Sequence, residues 1–381
     1  MRIGIVVPFS WSYWGGVVEH AENQARALME LGHEARIIIG NDPPGLLTTL
    51  LHPRAGRHGS LPDFVIPVGR TVIVPANASL SNVCLTPQSM RRMRRAFERE
   101  QFDVLHVHEP LAPVISQYAL AAAPCPIVAT SHSAGGRWWK WGPRFWPVLI
   151  PRIDYLIAVS EEARRAAEPS LGGPFEIIPN GVGLPESPDP GNRRHHVAFI
   201  GRHEQRKGLH VLLRAWPAVH RRTGARLRVM GADPLAVRFL LRRLAVPEDG
   251  IDILGVVTGE VRDEELVQAK LLAAPAIGSE TFGMVLTEAA AAATPVVASD
   301  IPGYRDVADG RMGIMVPPDD PESLARAIVE LLEDEPRRVA MGIHAREVAE
   351  ERYSWPGIAA RLVEIYGSLT SASACAGAAG A

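Results

Sequence analysis

The chain has 381 residues, of which 47% are hydrophobic and 22% charged, a composition typical of a globular protein of about two domains. Its formal charge of −2 gives no overall basic field, so we expect no nucleic-acid partner. Three scattered cysteines form neither a disulfide framework nor a metal-binding spacing, and we find no signal-peptide layout and no membrane span. These features predict a cytoplasmic protein.

The first half of the chain alternates short apolar runs with helical stretches. A strand over 3–8 is followed by Gly15-Gly16 and a helix over 17–31, which Gly32 ends. Later strands are predicted at 35–40, 103–107, 126–130, 155–159 and 176–179. Their continuously apolar character indicates strands buried on both faces of a parallel sheet.

The second half repeats this pattern after a stretch rich in Gly, Pro, Asp and Asn. Strands are predicted at 197–201, 227–231, 252–254, 274–277, 295–298 and 314–316. We therefore predict an α/β fold of two Rossmann-like, doubly wound domains that face each other across a cleft. The predicted bounds are 1–180 for the first domain, 181–194 for a linker, 195–352 for the second domain, 353–370 for a helix that packs back on the first domain, and 371–381 for a disordered tail.

Two carboxylates flank a Phe-Gly turn in the segment 279–289. Glu280 precedes the turn, and Glu288 follows it within an alanine-rich helix. Carboxylates accept hydrogen bonds from sugar diols, and the free N–H groups of a helix start bind phosphate or hydroxyl oxygens. The pattern fits a ligand that carries both hydroxyl and phosphate groups. A solvated loop acid and a helix acid that stabilises the dipole are the alternatives.

Candidate anion contacts follow the first strand of each domain. Arg202 and Lys207 come just after the strand 197–201, where doubly wound sheets bind their ligands, and two cations there can stabilise a diphosphate leaving group. Gly15-Gly16 holds the matching place in the first domain, where glycine lets a phosphate approach a helix start. The alternatives are a solvated basic loop and a plain tight turn, and the glycine pair lacks the full dinucleotide fingerprint.

Histidines mark the ends of two predicted strands. His132 follows the strand 126–130, so it points toward the ligand edge of the sheet and could contact a sugar, although a structural role is the alternative. His106, His108 and Glu109 suggest a metal site, but the sequence offers no evident further ligand. Polar groups satisfied by neighbouring backbone are the better interpretation of this second cluster.

Two basic segments could meet a membrane or a bulky acceptor. The predicted helix 87–101 carries exposed-face arginines and an opposite apolar face, as expected either for a helix on an anionic membrane or for a surface helix docked on the sheet. The arginines expected at the membrane are Arg91, Arg92, Arg94 and Arg95. In a second segment, Arg137 lies next to the tryptophans of 138–141, a mixture that suits a membrane interface or an acceptor.

These motifs together resemble a retaining glycosyltransferase of the two-Rossmann-domain type, called GT-B, over the chain up to about Gly367. The motifs are Trp14-Gly15-Gly16-Val17, Phe102–Pro110, Ile157–Ser160, Ile178–Val182, the pair Arg202 and Lys207, and the pair Glu280 and Glu288. Within the family 4 type, Met1–Pro8, Asp103–Pro113 and Ile127–Thr130 are most similar to bacterial phosphatidylinositol mannosyltransferases. That family moves mannose from GDP-mannose to a lipid inositol at the inner face of the plasma membrane.

The resemblance implies roles for the candidate residues. His132 and Glu280 are the expected catalytic residues, with Glu280 holding the donor sugar and His132 lining its site. The expected donor-binding set is Gly16, Arg202, Lys207, Phe282, Gly283, Met284, Val285 and Glu288. Arg202 and Lys207 would neutralise the diphosphate, and Glu288 would bind the ribose diol. Transfer is expected at the front face with retention, with the diphosphate helping to accept the proton of the incoming hydroxyl.

The resemblance also implies ligands and partners. The donor is a nucleotide sugar, with GDP-mannose expected, and no cofactor is permanently bound. Mg²⁺ is left open as a helper, although the sequence shows no protein metal site. The expected partners are a lipid or sugar acceptor and an anionic membrane surface, with the protein peripheral on its cytoplasmic side.

The acceptor side departs from the pattern of these relatives. Phe9 stands where they carry Tyr, Asn77 lies in a changed segment, Pro75-Ala76-Asn77-Ala78-Ser79, and Asn82 replaces an arginine. Together with Arg137 and Arg206, Phe9 and Asn77 form the predicted acceptor-side set. We expect a hexosyltransferase acting on an acceptor such as phosphatidylinositol. The alternatives are another nucleotide sugar with a different lipid or small-sugar acceptor and, in a different class, an NAD(P)-dependent oxidoreductase.

Overall fold

The computed structural model describes residues 1–13, 15–51, 61–76, 79–132, 146–186 and 189–379. The chain divides into two compact units. Unit 1 comprises residues 1–181 and 355–381, and unit 2 comprises residues 182–354. The C-terminal segment therefore belongs to the same unit as the N-terminus.

Unit 1 is built on a seven-stranded sheet in which every neighbouring pair of strands is parallel. Its strands are β1 (Arg2–Ser10), β2 (Glu34–Gly40), β3 (Val65–Gly69), β6 (Val104–His108), β7 (Ile127–Ser131), β8 (Tyr155–Ala158) and β9 (Phe175–Ile177), and β4 (Val72–Ala76) and β5 (Ser79–Val83) form a separate antiparallel hairpin. The strand order β3-β2-β1-β6-β7-β8-β9 is that of a doubly wound sheet. The predicted α/β class is confirmed for this unit.

The helices of unit 1 cover this sheet. They are α1 (Gly16–Glu30), α2 (Leu46–Leu51), α3 (Pro87–Glu100), α4 (Ile115–Ala122), α5 (Trp146–Leu149), α6 (Glu161–Leu171) and α14 (Trp355–Ala379). The central strands are buried along their length, as the continuous apolar runs predicted. Trp355, Ile358 and Leu362 of α14 belong to the same buried cluster as Ile3 and Ile5 of β1.

The C-terminal helix is longer than we predicted. It continues to Ala379, whereas the sequence analysis expected a disordered tail from 371. Alanine is the strongest helix former, and four alanines between 374 and 379 favour this continuation.

Unit 2 repeats the architecture with a six-stranded parallel sheet in the order β12-β11-β10-β13-β14-β15. Its strands are β10 (Arg194–Ile200), β11 (Arg226–Met230), β12 (Ile251–Gly255), β13 (Ala269–Ala274), β14 (Val296–Ser299) and β15 (Gly313–Val316). Its helices are α7 (Leu209–Thr223), α8 (Pro234–Leu244), α9 (Gly259–Gln268), α10 (Met284–Ala291), α11 (Pro302–Arg305), α12 (Pro321–Glu333) and α13 (Glu335–Arg352). The α/β prediction is therefore confirmed for this unit as well.

One strand of unit 2 was predicted at the wrong place. β13 spans Ala269–Ala274, whereas we predicted a strand at 274–277. Lysine and alanine are depleted in strands, yet this run pairs with both β10 and β14 at the centre of the sheet. Tertiary burial overrides local propensity here. The shift leaves residues 275–283 as a loop beyond the strand's carboxyl end, where a ligand can be contacted.

Candidate functional site

The loop after β10 and the loop after β13 lie side by side in unit 2. The N–H of Ile277 donates to the carbonyl oxygen of Arg206 at 2.8 Å. Gly208 has a φ of +70°, and a Cβ there would lie 1.7 Å from the carbonyl oxygen of Pro275. Only glycine permits this approach. The basic residues of the first loop therefore lie next to the acid of the second.

Glu280 forms ion pairs with two cations. The Nζ atom of Lys207 is 2.8 Å from Oε1 of Glu280, and Nη1 of Arg206 donates to the same oxygen at 2.6 Å. The Glu280 side chain is only 9% exposed, so these pairs are screened less than surface pairs. The structure thus brings together Glu280 and Lys207. It adds Arg206, which the resemblance had assigned to the acceptor side.

Glu204 connects the remaining predicted cation to this cluster. Nη2 of Arg202 is 3.0 Å from its Oε1, and Nε of Arg206 donates to its Oε2 at 2.8 Å. Glu204 was not among the predicted site residues, although its place between two arginines was a usable signal. Three cations and two carboxylates give the cluster a net charge of 3 − 2 = +1. Such a cluster attracts an anion and holds its cations in place beforehand.

The helix α10 begins directly after the Glu280 loop. Gly283 is its N-cap residue, with a φ of +79°, and no side chain caps the helix. Met284 and Val285 are the first helical residues, so their N–H groups have no partner within the helix. The Phe282 ring is buried edge-to-face against Tyr353, which leaves its backbone as the part available to a ligand.

Glu288 lies in the second turn of α10. Its Oε1 is 3.3 Å from Nη1 of Arg262 on α9, and both side chains are mostly buried. Arg262 was not singled out in the sequence, because nothing in its own segment distinguishes it from a surface helix residue. The pair places a carboxylate and a guanidinium together near the helix start.

In unit 1, α1 begins at the predicted glycine pair. The helix has 15 residues and begins at Gly16, which is exposed. The preceding N-cap residue, Gly15, has an extended backbone and offers no side chain to cap the helix. A phosphate can therefore approach these N–H groups, as predicted for this glycine pair.

His132 follows β7 and is held by the residues that end β6. Its N–H donates to Oε1 of Glu109 at 3.0 Å, and its Nε2 is 2.8 Å from Nδ1 of His108. The N–H of Glu109 donates to the carbonyl oxygen of Thr130 at 2.9 Å. Glu109 has a φ of +50°, which is uncommon outside glycine. Hydrogen bonds thus join the ends of β6 and β7 and fix the position of the His132 backbone.

His132 belongs to a buried group of four imidazoles. Burial lowers the pKa of His132 and of His106 to about 3, and it lowers the pKa of His20 and of His108 well below the usual value. All four are therefore neutral at pH 7. His20 was missed in the sequence, although it lies one helical turn after Gly16, and its ring is 4.9 Å from that of His132.

His106 plays a structural part in this group. Its Nε2 is 2.6 Å from Oγ1 of Thr130, and its Nδ1 is 2.5 Å from the hydroxyl of Tyr366 on α14. Gln24 donates to the same Nδ1 at 2.9 Å. Its partners are mostly side chains rather than the backbone groups that the sequence analysis expected.

A further imidazole, that of His20, lies beside His108 and His132. His20, His108 and His132 each offer a nitrogen, and these atoms lie within 4.8 Å of one another. Neutral imidazoles suit zinc or copper, whereas Mg²⁺ requires oxygen ligands. The cluster therefore does not fit the Mg²⁺ that the sequence analysis left open.

The other predicted residues that the structure describes lie outside these clusters. Phe9 lies in β1 where the register shifts between Val7 and Ser10, and it is partly buried against the core. The arginines Arg91, Arg92, Arg94 and Arg95 are exposed on α3, while Met93 and Phe97 are buried. Asn77 and Arg137 lie outside the described residues. Within the described part of the chain, no helix is both long and apolar enough to cross a bilayer.

Comparison with known proteins supplies the family. Residues 14–184 match the family model described as Glycosyltransferase Family 4, and residues 194–334 match Glycosyl transferases group 1. A phosphatidyl-myo-inositol mannosyltransferase of Mycolicibacterium smegmatis is 35% identical over 98% of this chain and 95% of its own length. The chain belongs to glycosyltransferase family 4. A protein of the same name from Propionibacterium freudenreichii is 31% identical over 96% of this chain and 94% of that protein.

Solved structures support the same conclusion for the fold of this family 4 glycosyltransferase. HepE of Anabaena, in complex with UDP, has a TM-score of 0.71 and 18% identity over 97% of this chain and 100% of that one. Sucrose-phosphate synthase of Thermosynechococcus elongatus has a TM-score of 0.70 and 20% identity over 97% and 99%. The predicted GT-B fold is confirmed, and family membership removes the oxidoreductase alternative.

Proposed function

We propose that this glycosyltransferase moves mannose from GDP-mannose to the inositol ring of phosphatidylinositol, with retention at the sugar carbon. The observation that carries the proposal is the similarity, over nearly the whole chain, to proteins named phosphatidyl-myo-inositol mannosyltransferase. The arrangement of charged groups in unit 2 supports it independently. It has the features that a nucleotide-sugar diphosphate needs.

In this proposal, unit 2 binds the donor. Lys207, Arg206 and Arg202 neutralise the diphosphate, because their cluster carries a net positive charge before the donor arrives. Glu280 accepts hydrogen bonds from sugar hydroxyls, assisted by the free N–H groups at the start of α10. Glu288 accepts the hydroxyls of the ribose. UDP-bound relatives of the same fold, such as HepE, are consistent with a nucleotide-sugar donor.

Unit 1 supplies a second phosphate contact and a sugar contact. The open N-terminus of α1 at Gly16 receives a phosphate oxygen. His132 offers its outer ring nitrogen to a sugar hydroxyl, and its neutral state at pH 7 avoids adding a charge to the site. Each group acts by holding the donor, and the leaving diphosphate carries the developing negative charge.

The transfer itself exchanges one bond to the sugar carbon for another. The bond from C1 of mannose to the diphosphate oxygen breaks, and a bond from C1 to the inositol oxygen forms on the same face. The hydroxyl proton passes to the departing diphosphate. The cations of unit 2 stabilise that diphosphate as its charge grows.

The exposed cations of α3 support an acceptor at a membrane surface. This helix exposes Arg91, Arg92, Arg94 and Arg95, although Arg94 also forms a surface pair with Glu98 at 2.8 Å. Cations of this density attract anionic lipid headgroups, and phosphatidylinositol is such a lipid. The alternative acceptor is a different lipid or a small sugar, because Phe9 lacks the hydroxyl of the tyrosine that the resemblance expects there.

A donor screen followed by an acceptor screen tests the proposal. We expect GDP-mannose to raise the melting temperature more than UDP- or ADP-sugars, because the ligand that binds the folded protein most tightly stabilises it most at equal concentration. Transfer of radiolabelled mannose to phosphatidylinositol in vesicles is then expected, and the variants Glu280→Ala and Lys207→Ala should abolish it. Preference for another nucleotide sugar overturns the donor assignment, and transfer to another acceptor alone overturns the lipid assignment.

A further inference from the structure

We propose that His108 is a positioning residue that fixes the tautomer of His132, so that the outer ring nitrogen of His132 is a hydrogen-bond donor. The inference rests on the proposed function, because it gives a direction to the contact between His132 and the donor sugar. It concerns His108, a fully buried residue whose ring contacts that of His132. The inference is based on the distance between the two rings, on their burial and on the partners of their other ring nitrogens.

The two rings share one hydrogen bond. Nδ1 of His108 is 2.8 Å from Nε2 of His132, and both rings are buried. Burial keeps both imidazoles neutral, as their lowered pKa values indicate. Each ring therefore carries one proton, and one proton lies between the two nitrogens. Either His108 donates to His132, or His132 donates to His108.

The remaining nitrogen of His108 decides between the two arrangements. Its Nε2 is buried and has no hydrogen-bond partner among the described residues. If His132 donated, then His108 would carry its own proton on Nε2 and would bury an N–H without an acceptor. Orphaned buried N–H groups are rarer than orphaned acceptors. The favoured arrangement puts the proton of His108 on Nδ1, where it donates to His132.

This arrangement leaves one choice for His132. Its Nε2 accepts the hydrogen bond, so its single proton must lie on Nδ1. A donating Nδ1 suits an oxygen acceptor, such as the Asn180 side chain, whose hydrogen bond partly offsets the lowering of the pKa of His132 by burial, or the oxygen of a sugar hydroxyl or a phosphate. In the opposite tautomer, Nδ1 of His132 would carry no proton and could only accept a hydrogen bond. A sugar hydroxyl can donate such a bond, whereas an ionised phosphate cannot.

The surroundings of the pair hold this geometry. The ring of His106 stacks on that of His108, with centroids 4.7 Å apart and an angle of 12° between the planes. His20 packs edge-on against both His108 and His132. The backbone of His132 is fixed by Glu109, whose carboxylate accepts its N–H. Rotation of either ring out of the hydrogen bond would therefore break close packing.

The tautomer can be observed directly, without any donor present. In the full-length protein labelled with ¹⁵N in its histidine rings, two-bond ¹H–¹⁵N correlation spectra distinguish protonated from bare ring nitrogens. We expect Nδ1 to be the protonated nitrogen of His132 at pH 7. The signals are assigned by their loss in His132→Gln. A spectrum in which His132 is protonated on Nε2 overturns the proposal, whatever the activity of the enzyme.

Two matched variants test the role of His108. The side-chain amide of His108→Asn can still donate an N–H at about the position of Nδ1, whereas His108→Leu cannot donate. We expect His108→Asn to keep the Nδ1-protonated form of His132 and most of the activity. We expect His108→Leu to show a mixture of the Nδ1- and Nε2-protonated forms, because no donor then keeps Nε2 of His132 unprotonated. We also expect it to lower kcat for transfer by about tenfold with a smaller change in donor KM.

The outcomes separate this inference from the proposed function. If no mannosyl transfer occurs but the wild-type spectrum shows the Nδ1 proton and His108→Leu shows the mixture, the positioning role stands and the function fails. An unchanged His132 tautomer in a folded His108→Leu protein overturns the role of His108. If His108→Leu does not fold, the wild-type spectrum and the His108→Asn variant still decide the question.

Discussion

The ammonium group of Lys207 lies 2.8 Å from Oε1 of Glu280, an oxygen that Arg206 also contacts at 2.6 Å. A residue expected to bind the diphosphate and a residue expected to bind the sugar are therefore joined before any donor is present. The cations need little reorganisation when a diphosphate arrives, since the carboxylate already holds them in place. The pairing also means that removing either partner changes the charge of the whole cluster.

Removing Lys207 should lower activity without unfolding the protein. We expect Lys207→Ala to reduce kcat/KM by at least about 100-fold, because one fixed cation at the leaving diphosphate is lost. The melting temperature should change little, since Arg206 still pairs with Glu280. Initial rates with the preferred donor measure the effect. The control is Arg222→Ala, which removes a cation from an exposed pair with Glu333 and should leave the rate unchanged.

A side chain at Gly16 should block donor binding. We expect Gly16→Val to raise the donor KM by about tenfold or more, because the new side chain would cover the open N–H groups at the start of α1. Calorimetric titration with the nucleoside diphosphate measures the binding step by itself. Gly310→Val is the matched control, since a Cβ there meets nothing within 4 Å. Unchanged diphosphate affinity in Gly16→Val would remove the helix start from the site.

Glu109 should stabilise the fold through the backbone of His132. We expect Glu109→Leu to reduce the free energy of unfolding by about 1–3 kcal/mol, because the buried N–H of His132 loses its acceptor. Glu109→Gln keeps a carbonyl oxygen at that place and should cost less. Urea denaturation of both variants provides the measurement. Equal stability of the two would show that the hydrogen bond contributes little.

The buried imidazoles should make the protein sensitive to acid. The pKa of His132 and of His106 is about 3 in the folded state and about 6.5 in a free imidazole, so the unfolded chain binds more protons between these values. Stability is therefore complete above about pH 6.5 and is lost as the pH falls toward 3. At pH 5, each of these rings should cost on the order of 2 kcal/mol of unfolding free energy.

Urea denaturation at pH 7.5 and at pH 5 measures this loss. His132→Gln should reduce the difference in unfolding free energy between the two pH values. His203→Gln, which changes an exposed imidazole, should leave the difference as it is in the wild type. A wild-type stability that does not change between these pH values would contradict the prediction.

The arginines of α3 should govern binding to anionic membranes. We expect replacement of Arg91, Arg92, Arg94 and Arg95 by Ser to weaken sedimentation with phosphatidylglycerol vesicles by at least tenfold, since each cation near a membrane contributes about 1 kcal/mol. A matched control replaces Arg221, Arg222, Arg242 and Arg243, which are exposed in unit 2, and so changes the net charge equally. An equal loss in both variants would show that overall charge, and not α3, controls binding.

Much of this protein could be predicted from local sequence. The alternation of apolar runs and helices specified two parallel α/β units, because strands buried on both faces must be continuously apolar. The motifs around Gly16, Arg202 and Glu280 predicted a phosphate-binding and sugar-binding chemistry, because each follows a predicted strand, and these roles stay predictions. The strand over 269–274 was missed, since its central position in the sheet cannot be read from its lysine and alanines.

Contacts between distant segments were decided only by the tertiary structure. Arg206 and Glu280 are 74 residues apart, and their pairing depends on Gly208 allowing two loops to touch. His20, His108 and His132 come from a helix and two strand ends, so no spacing in the chain links them. The amino-acid sequence by itself determined which chemical groups are present at the strand ends. The packing of those ends determined which groups form hydrogen bonds and ion pairs, because both interactions depend on distances in space.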